Sequence, residues 1–572
     1  MSFSPIDQLA IDTIRCLSID AIQKANSGHP GLPMGCAPLA HVLYSKYMNH
    51  NPENPNWVNR DRFVLSAGHG SMLLYSTLHI CGYKISLDDL KNFRQWRSIT
   101  AGHPEFGLAP GVETTTGPLG HGFANAVGMA IAEEYLGSIF NKDDIKVLDH
   151  YIYGLCSDGD IMEGISHESA SLAGHLKLAK LIMFYDDNGI SIDGSTDLTF
   201  SEDVEKRFDA YGWQVLNIND VNNLGQIEKA VKAAQAEEGK PSLIITKTHI
   251  GFGSPNKQDT ASAHGSPLGE EEVKLTKKNL NWQEDSPFFI PAEVSDLYKK
   301  RKEELSKLET EWNDNFEKYK SKYPGEAEVF RNMVNGNHGN EWENELPTFT
   351  DFKEKVATRK VSGMVLNSIA KKLPGLIGGS ADLAGSNKTT LNEFPAFSAE
   401  ERQGKNFHFG IREHGMGGIL NGLALYGGVI PYGGTFLIFS DYLRPSIRLA
   451  SLSHLKPIYI FTHDSIGLGE DGPTHQPIEQ LASLRTIPGL VVIRPADANE
   501  TVHAWKAALN HKDAPVALIL TRQKLPVLDR TQFSPAEQVK KGAYILKNCK
   551  KEPYAILLAS GSEVSTALQA SN

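Results

Sequence analysis

Cysteine is scarce in this sequence, and the few cysteines present are not arranged in pairs. They are Cys16, Cys36, Cys81, Cys156 and Cys549. Their spacing fits neither a metal site nor a disulfide framework, which is typical of proteins from a reducing compartment. The sequence also lacks long apolar runs and an N-terminal signal peptide. We therefore expect a cytoplasmic protein with no membrane partner.

An excess of positive charge is absent too. The chain has 57 Lys and Arg residues against 68 Asp and Glu residues, so its formal net charge is −11. This balance disfavours nucleic acid and anionic membranes as partners, although it is compatible with a local cationic pocket for a phosphate. A length of 572 residues is enough for several domains, each with its own core.

What the sequence does contain is a strand–helix–strand pattern in residues 150–194. One apolar run ends at Asp158-Gly159, residues 163–178 have the apolar spacing of a helix, and a second apolar run ends before Asn188. In such a unit the strands are parallel, and ligands bind beyond their carboxyl ends. We therefore expect Asp158 and Asn188 to lie close together.

Oxygen ligands of this kind suit a magnesium ion whose other ligands are phosphate oxygens and water. The N-terminus of the following helix favours a diphosphate, and Gly159 allows the backbone to approach it closely. The alternative is a turn and a helix cap without a ligand. The pairing of Asp158 with Asn188 favours the ligand site over that alternative.

The motifs EGISHE, SLAGHLKL and YDDNGISIDG surround this pair, and together they resemble the transketolase family. The resemblance implies thiamine diphosphate and Mg²⁺ as cofactors, with Ca²⁺ or Mn²⁺ as substitutes for the metal. It implies metal ligands at Asp158, Asn188 and Ile190, and cofactor contacts at His69, Gly117, Leu119, Gly159 and Asn188. The family usually has Gly where this chain has Ser157. We expect a local backbone adjustment there rather than a lost site.

Strand patterns alternate with helical patterns along most of the chain and predict an α/β fold. With the resemblance, this indicates two doubly wound domains of the thiamine diphosphate-binding type, with mostly parallel sheets. The diphosphate- and magnesium-binding domain would span residues 1–300, and an exposed, charged helix and linker residues 301–348. A pyrimidine-binding domain would span residues 349–535. Residues 536–572 would begin a third, incomplete α/β domain with a strand, a turn and a helix.

Histidine stands beside glycine at five places in the first of these domains. The five are His29, His69, His103, His121 and His264. A single histidine of this kind is usually an unreactive loop residue, but five suggest a polar pocket for a sugar phosphate, because imidazole donates to hydroxyls and phosphates and moves protons. The resemblance implies that His29, His103 and His264 face the donor sugar and act in catalysis, with His29 and His264 binding it. His121 stands where family members often have Gln, and no role is assigned to it.

In the second domain, Glu413 lies between a predicted strand and a predicted helix. The simple interpretation is a helix-start carboxylate stabilised by the helix dipole. The resemblance implies instead that Glu413 is hydrogen-bonded to the aminopyrimidine of the cofactor. It would promote the imino tautomer that removes the C2 proton, and the resulting ylid would attack the ketose carbonyl.

Three aromatic residues of the second domain, Phe436, Phe439 and Tyr442, have helical spacing, which is usually a core pattern. The resemblance implies that they stack on the pyrimidine ring. It also implies a cofactor contact from the dimer side at Asp382.

Phosphate binding can be predicted separately from the cofactor. Arg359, Ser386, His463 and Arg522 lie at predicted strand ends or in adjoining loops, and arginine suits a phosphate dianion. The resemblance implies that all four hold the substrate phosphate. It implies further that Asp471 accepts a hydrogen bond from a sugar hydroxyl and that His475 binds substrate and transfers a proton.

These features predict reversible transfer of a two-carbon ketol unit from a ketose phosphate, such as xylulose 5-phosphate, to an aldose phosphate, such as ribose 5-phosphate. The resemblance implies a place in the pentose phosphate pathway and a homodimer with active sites at the subunit interface. One alternative is a dihydroxyacetone synthase, which uses formaldehyde as acceptor. Another is a catalytically silent, truncated cofactor-binding subunit.

Overall fold

The computed structural model describes residues 3–284, 286–549 and 552–571. The chain divides into two compact units, Met1–Glu328 and Val329–Asn572. Residues 1, 2 and 285 of the predicted first domain lie outside the described residues, as do residues 550, 551 and 572 of the predicted third domain.

The first unit is built around a five-stranded parallel sheet. Its strands are β1 (Arg62–Leu65), β2 (Ile152–Ser157), β3 (Leu181–Asp187), β4 (Gln214–Ile218) and β5 (Ser242–Lys247), in the spatial order β1-β2-β3-β5-β4. All residues of β1 and β2 are buried. Such continuously buried strands are typical of a parallel sheet that helices cover on both faces.

The first twelve helices flank this sheet and lead out of it. They are α1 (Pro5–Ala25), α2 (Gly31–Val42), α3 (Ser71–Ile80), α4 (Leu87–Lys91), α5 (His121–Phe140), α6 (Asp158–Met162), α7 (Gly164–His175), α8 (Val204–Ala210), α9 (Leu224–Gln235), α10 (Glu270–Asn279), α11 (Ala292–Lys322) and α12 (Pro324–Val334). Helix α5 comes very close to the end of β1, because a Cβ atom on Gly122 would lie 2.4 Å from Cα of Ser66. A side chain at this position would therefore clash with the sheet. None of the described helices is long and apolar enough to cross a bilayer.

Helix α11 is largely exposed, as predicted for this region, but it also has a buried stripe: Val294, Tyr298, Leu305, Phe316 and Tyr319. Its Tyr298 is buried and forms a 2.8 Å hydrogen bond with Nδ1 of His41, and Trp312 Nε1 donates to the carbonyl of Val147 at 3.0 Å. Because the helix has so many charged residues, its buried aromatic face was not predicted from the sequence. Helix α11 therefore packs against the first unit.

The second unit contains a six-stranded parallel sheet and a short antiparallel pair. The strands are β6 (Lys355–Val356), β7 (Leu376–Ser380), β8 (Asn406–His408), β9 (Ile430–Phe436), β10 (Ile458–Thr462), β11 (Val491–Ile493), β12 (Val516–Leu520) and β13 (Leu525–Pro526). The large sheet has the order β11-β12-β10-β9-β7-β8, and β6 pairs with β13. The predicted α/β class with mostly parallel sheets is confirmed.

The helices of this unit are α13 (Thr358–Ile369), α14 (Ala384–Asn387), α15 (Glu413–Tyr426), α16 (Ser440–Leu452), α17 (Gln480–Arg485), α18 (Ala498–Asn510) and α19 (Glu563–Ala570). Buried Ile460 and Leu518 of the sheet share a core with Trp505 of α18. This core fixes the strand ends that carry the pocket of the unit.

The final segment matches its prediction only in part. Helix α19 is present, but the described residues 552–571 contain no strand. The apolar side chains of Tyr554, Ile556 and Leu558 are exposed instead. A single strand needs a partner for its backbone N–H and C=O groups, and the described part of the chain supplies none here.

Candidate active site

Asp158 and Asn188 lie at the same edge of the first sheet, as predicted. Strands β2 and β3 are parallel neighbours, with Ser157 opposite Asp186, so the residues that follow each strand come together. The connecting helix differs from the single helix predicted for residues 163–178. It forms two pieces, α6 and α7, and α6 begins at Asp158 itself.

The carboxylate of Asp158 is only half satisfied. Its Oδ1 accepts a short hydrogen bond from the hydroxyl of Tyr185, but Oδ2 is buried without a hydrogen bond of normal geometry among the described residues. Burial raises the pKa of Asp158 to about 7, and the charges of Asp186 and Asp187 act in the same direction. A buried carboxylate in this state is stabilised by a cation.

The neighbouring oxygen donors fit a cation that completes its shell with other ligands. Asn188 donates to Asp186 at 2.8 Å, and its Oδ1 accepts from the backbone N–H of Ile190 at 2.9 Å. The described residues contain no group of three or more His, Cys, Asp or Glu side chains able to hold a metal. A metal held at Asp158 would therefore need amide and carbonyl oxygens and ligands from outside the protein, as expected for Mg²⁺ on a diphosphate.

Asp160 is a structural centre of this edge that the sequence analysis missed. Its Oδ1 accepts from the hydroxyl of Ser66 and from the backbone N–H of Gly120, both at 2.7 Å. Its Oδ2 accepts from the backbone N–H and the hydroxyl of Ser157 at 2.9 and 3.0 Å. The Ser-x-x-Asp spacing of a capping box is the signal that could have revealed it.

Ser157 causes no distortion of the backbone. Its φ of −117° is in the ordinary extended region, which any residue adopts. The expected backbone adjustment is therefore not seen; the hydroxyl of Ser157 donates to Asp160 instead.

Four of the five predicted histidines form a cluster in the first unit. The ring centroid of His29 lies 5.4 Å from that of His69, 6.0 Å from that of His103 and 5.9 Å from that of His264. His69 and His264 stack at 5.0 Å. Burial lowers the pKa of each of the four imidazoles, so the cluster is uncharged at neutral pH. His121 is instead buried in the first turn of α5.

Arg94 is a second residue that sequence reasoning missed. Its Nη2 lies 3.3 Å from Nδ1 of His29, and its Nη1 donates to the hydroxyl of Ser27 at 2.8 Å. A guanidinium has only donors, so Nδ1 of His29 must accept, and Nε2 of the neutral ring carries the hydrogen. Burial, followed by the positive charge of Arg94, lowers the pKa of His29 to about 4. No pattern in the sequence connects this loop arginine with His29.

The predicted cofactor glycines lie where a side chain would not fit. A Cβ atom on Gly117, whose φ is +131°, would lie 3.1 Å from the ring of His103. A Cβ atom on Gly159 would lie 2.7 Å from Cδ1 of Leu119. Gly117 lies against His103, and Gly159 lies against Leu119. The backbone at both glycines is free of side-chain atoms, which suits close approach of a flat ligand and its diphosphate.

In the second unit, Glu413 begins α15, as predicted. It is buried, and the hydroxyl of Thr435 donates to its Oε1 at 3.4 Å. Burial raises the pKa of Glu413 above its ordinary value, which suits a carboxyl group that shares a proton. Asp382 is exposed, with a φ of +56°.

The three aromatic residues do not share one helical face, which corrects the core interpretation. Phe436 ends β9, Phe439 lies in the following turn and Tyr442 lies in α16. Their rings form a row with centroids 6.0 and 5.9 Å apart. Phe436 is buried, whereas Tyr442 is 63% exposed, so the row leads from the core to the surface.

The predicted phosphate-binding residues surround one pocket in the second unit. Its volume is about 410 Å³, and it is lined by Arg359, Ser386, Phe436, His463, Asp471, His475 and Arg522. Arg359 Nη1 donates to the backbone carbonyl of Ser386 at 2.9 Å. The ring of His475 lies 5.5 Å from that of Phe439. All six predicted substrate residues of this unit therefore meet at one place.

His463 is held firmly in this pocket. Its ring packs on Phe436 at a centroid distance of 3.7 Å. Its Nδ1 lies 2.8 Å from the hydroxyl of Thr462, which in turn donates to Asn387 at 2.6 Å. Burial, with the charge of Arg359 as the next cause, lowers the pKa of His463 to about 4.

Two family models match the chain, in the same order as its units. The thiamine diphosphate binding domain of transketolase matches residues 6–339, and the pyrimidine binding domain of transketolase matches residues 354–527. The transketolase of Halalkalibacterium halodurans is 56% identical over 565 residues, covering 99% of this chain and 84% of that protein. The transketolase of Bacillus subtilis is 55% identical over 567 residues, covering 99% and 85%.

Solved structures give the same result. A transketolase from Leishmania mexicana has a TM-score of 0.96 at 44% identity, covering 100% of this chain and 84% of that one. A Pichia stipitis transketolase in complex with sedoheptulose-7-phosphate has a TM-score of 0.96 at 45% identity, covering 99% and 84%. These relatives favour neither a dihydroxyacetone synthase nor a catalytically silent subunit. The chain belongs to the transketolase family and is a thiamine diphosphate-dependent transferase that moves a two-carbon ketol unit between sugar phosphates.

Proposed function

We propose that this chain holds Mg²⁺ and the cofactor diphosphate at the Asp158 edge of the first unit and binds the substrate phosphate in the pocket of the second unit. The observation that carries the proposal is that pocket. It combines two arginines and two histidines with a volume of about 410 Å³, and guanidinium groups suit a phosphate dianion.

The metal assignment is supported by the unsatisfied Oδ2 of Asp158. Asp158, Asn188 and the carbonyl of Ile190 would supply oxygen ligands, and the diphosphate would supply others. Ca²⁺ and Mn²⁺ take oxygen ligands as well and are expected substitutes. His69, Gly117, Leu119 and Gly159 would contact the cofactor.

When bound, thiamine diphosphate supplies an electron sink for the carbon–carbon bond cleavage. Glu413, whose raised pKa favours sharing a proton, would hold the aminopyrimidine in its reactive tautomer. Phe436, Phe439 and Tyr442 would stack beside this ring, and Asp382 would contact the cofactor from the dimer side.

The histidine cluster would orient the donor sugar through neutral imidazoles. Nε2–H of His29 is a donor because Arg94 occupies the acceptor nitrogen. Together with His103 and His264, it would hold the hydroxyls and the reacting carbonyl. In the second unit, Asp471 would accept from a sugar hydroxyl and His475 would move a proton.

The same proposal includes a homodimer with active sites at the subunit interface, which membership of the transketolase family supports. Sedimentation at several protein concentrations would test it. A fully active monomer would contradict the shared site. The domain boundaries at residues 300, 348 and 535 and the cytoplasmic location stay predictions.

The central experiment is a coupled assay with xylulose 5-phosphate and ribose 5-phosphate. The protein is first freed of metal with a chelator and then supplied with thiamine diphosphate and Mg²⁺, separately and together. We expect turnover only with both, and reduced turnover when Mn²⁺ or Ca²⁺ replaces Mg²⁺. Full turnover with the cofactor alone would overturn the metal assignment.

A further inference from the structure

Arg522 already has an anionic partner in this structure. Its Nη1 lies 3.3 Å from Oε2 of Glu470, and its Nη2 makes a short contact with Oε1. Nη1 also donates to the backbone carbonyl of Leu468 at 3.2 Å. A carboxylate that meets both terminal nitrogens uses the two-point geometry by which a phosphate binds arginine. Glu470 therefore occupies the donors that a substrate phosphate would need.

Arg359, on the same pocket, is engaged differently. It donates to the neutral carbonyl of Ser386. Arg359 and Arg522 line the same pocket, and burial and the nearby charge of Arg522 both lower the pKa of Arg359. The carboxylate of Glu470 neutralises part of this positive charge by pairing with Arg522.

The loop that carries Glu470 has room to move. Glu470 follows Gly469 (φ +98°) and precedes Gly472 (φ +81°), and no atom lies within 4 Å of the position that a Cβ would take on either glycine. The side chain of Glu470 is 66% exposed. It can leave Arg522 without opening a buried core, and it stands on the same loop as Asp471 and His475.

We propose that Glu470 is a specificity-determining residue whose carboxylate competes with the substrate phosphate for Arg522 and is displaced when a phosphorylated sugar binds. The inference rests on the proposed phosphate pocket. Free phosphate has only its contact with the arginines to offset the loss of the Glu470–Arg522 pair. A sugar phosphate also gains contacts through its hydroxyl groups. Because the cost of displacing Glu470 is the same for both, Glu470 lowers the affinity of the pocket for free phosphate and for phosphorylated sugars alike, and it leaves non-phosphorylated donors unaffected.

The test uses the complete holoenzyme with Glu470→Gln, which keeps the shape of the side chain and removes its charge. We would measure KM for xylulose 5-phosphate, KM for the non-phosphorylated donor hydroxypyruvate, and the inhibition constant of inorganic phosphate. The ion pair is exposed and its contribution is small, so KM for the sugar phosphate and the inhibition constant should each fall about two- to fivefold. The ratio of the two KM values should fall with them. An unchanged or raised KM for the sugar phosphate would overturn the proposal.

Glu393→Gln is the matched control, because Glu393 is a similarly exposed partner of Lys371 in the same unit. It should leave the ratio of the KM values unchanged, and an equal fall in this variant would attribute the effect to net charge and overturn the role of Glu470. Combining Glu470→Gln with Arg522→Ala supplies the decisive comparison. In the Arg522→Ala background the Glu470 substitution should no longer change the inhibition constant of phosphate, and a persisting effect would also overturn the proposal.

The same variants separate this inference from the pocket assignment on which it rests. A selective effect of Arg522→Ala on phosphorylated sugars, with no effect of Glu470→Gln, would remove the role of Glu470 and leave the phosphate pocket intact. Equal losses for both donors in Arg522→Ala would remove the pocket itself.

Discussion

The histidine cluster of the first unit and the proposed phosphate pocket of the second would present polar groups to a sugar in opposite ways. Around His29, three other imidazoles lie within 6.0 Å between ring centroids, and burial keeps all four neutral. The pocket instead gathers the fixed charges of Arg359 and Arg522. Neutral hydrogen-bond donors select hydroxyls by their position. A fixed positive charge attracts any anion, whatever group carries that anion.

This difference extends to the response to pH. Folding lowers the pKa of the clustered imidazoles below the ordinary value of 6.5. The unfolded chain therefore takes up protons first, and stability from this source is lost as the pH falls below about 6.5. The guanidiniums of the pocket stay charged throughout this range.

The largest effect is expected at Glu413, a buried carboxyl group that would work by sharing a proton. Glu413→Gln cannot share a proton in the same way, so the rate should fall on the order of 10²–10³ while the fold is kept. Hydrogen–deuterium exchange at C2 of the cofactor measures this step directly. Wild-type exchange in the variant would exclude Glu413 from the mechanism.

Asp158 tests whether a buried carboxylate at the first sheet needs a cation. Asp158→Ala removes a proposed metal ligand and should weaken cofactor binding about 100-fold at limiting Mg²⁺. Calorimetric titration with thiamine diphosphate gives the affinity. Asp187→Asn is the matched control, because it removes a neighbouring carboxylate that pairs with Lys247 at 3.5 Å. Equal losses in both variants would mean that general charge, and not ligation, controls binding.

The role of fixed positive charge in the pocket of the second unit is tested at Arg522. Arg522→Ala should raise KM for phosphorylated sugars about 10- to 100-fold, because a charge-assisted hydrogen bond contributes roughly 1.5–3 kcal/mol. Turnover at saturation should fall less, since the phosphate binds ground and transition states alike. Hydroxypyruvate kinetics supply one control, and replacement of the exposed Arg485, which does not line the pocket, supplies another. A similar rise in KM for hydroxypyruvate would argue against phosphate recognition.

The smallest effect concerns Arg94, which would set the charge and tautomer of His29. Arg94→Met removes a neighbouring cation, so the pKa of His29 should rise from about 4 by about one unit. If neutral His29 is required, the acidic limb of kcat/KM moves to higher pH. The shift is read from the pH profile and from ¹⁵N resonances of the ring.

Two further variants separate charge from geometry at this position. Arg94→Lys keeps the charge and should restore the acidic limb in part. Arg97→Met changes an exposed arginine of the same loop and should leave the profile in place. An unshifted profile in Arg94→Met would show that burial alone holds the pKa of His29 down.

Strand ends were the most predictable part of this molecule. The prediction that Asp158 and Asn188 meet depended only on two apolar runs and on the geometry of a parallel sheet, and the register of β2 and β3 confirms it. Charge-bearing residues after other strands, such as Arg522 after β12, were found in the same way.

Contacts between distant loops could not be predicted. Arg94 reaches His29 across 65 residues, and only packing decides which loop approaches which. Tyr185 looked like part of an apolar strand, yet its hydroxyl binds Asp158. The strand predicted around Ile556 failed for a related reason, because local β propensity does not form a strand without a neighbour to pair with.

The hydrogen-bond chain behind His463 links sugar-phosphate binding to the proton concentration of the solution. Because Thr462 gives its hydrogen to Asn387, it accepts from Nδ1 of His463, and the neutral ring turns an unprotonated nitrogen towards the pocket. Burial and the arginines favour that neutral form, but a phosphate dianion favours the imidazolium. The pKa of the ring should therefore rise when a phosphate binds, and we expect proton uptake on binding. In a calorimeter, the heat of sugar-phosphate binding should change with the ionisation enthalpy of the buffer, and the slope gives the number of protons taken up.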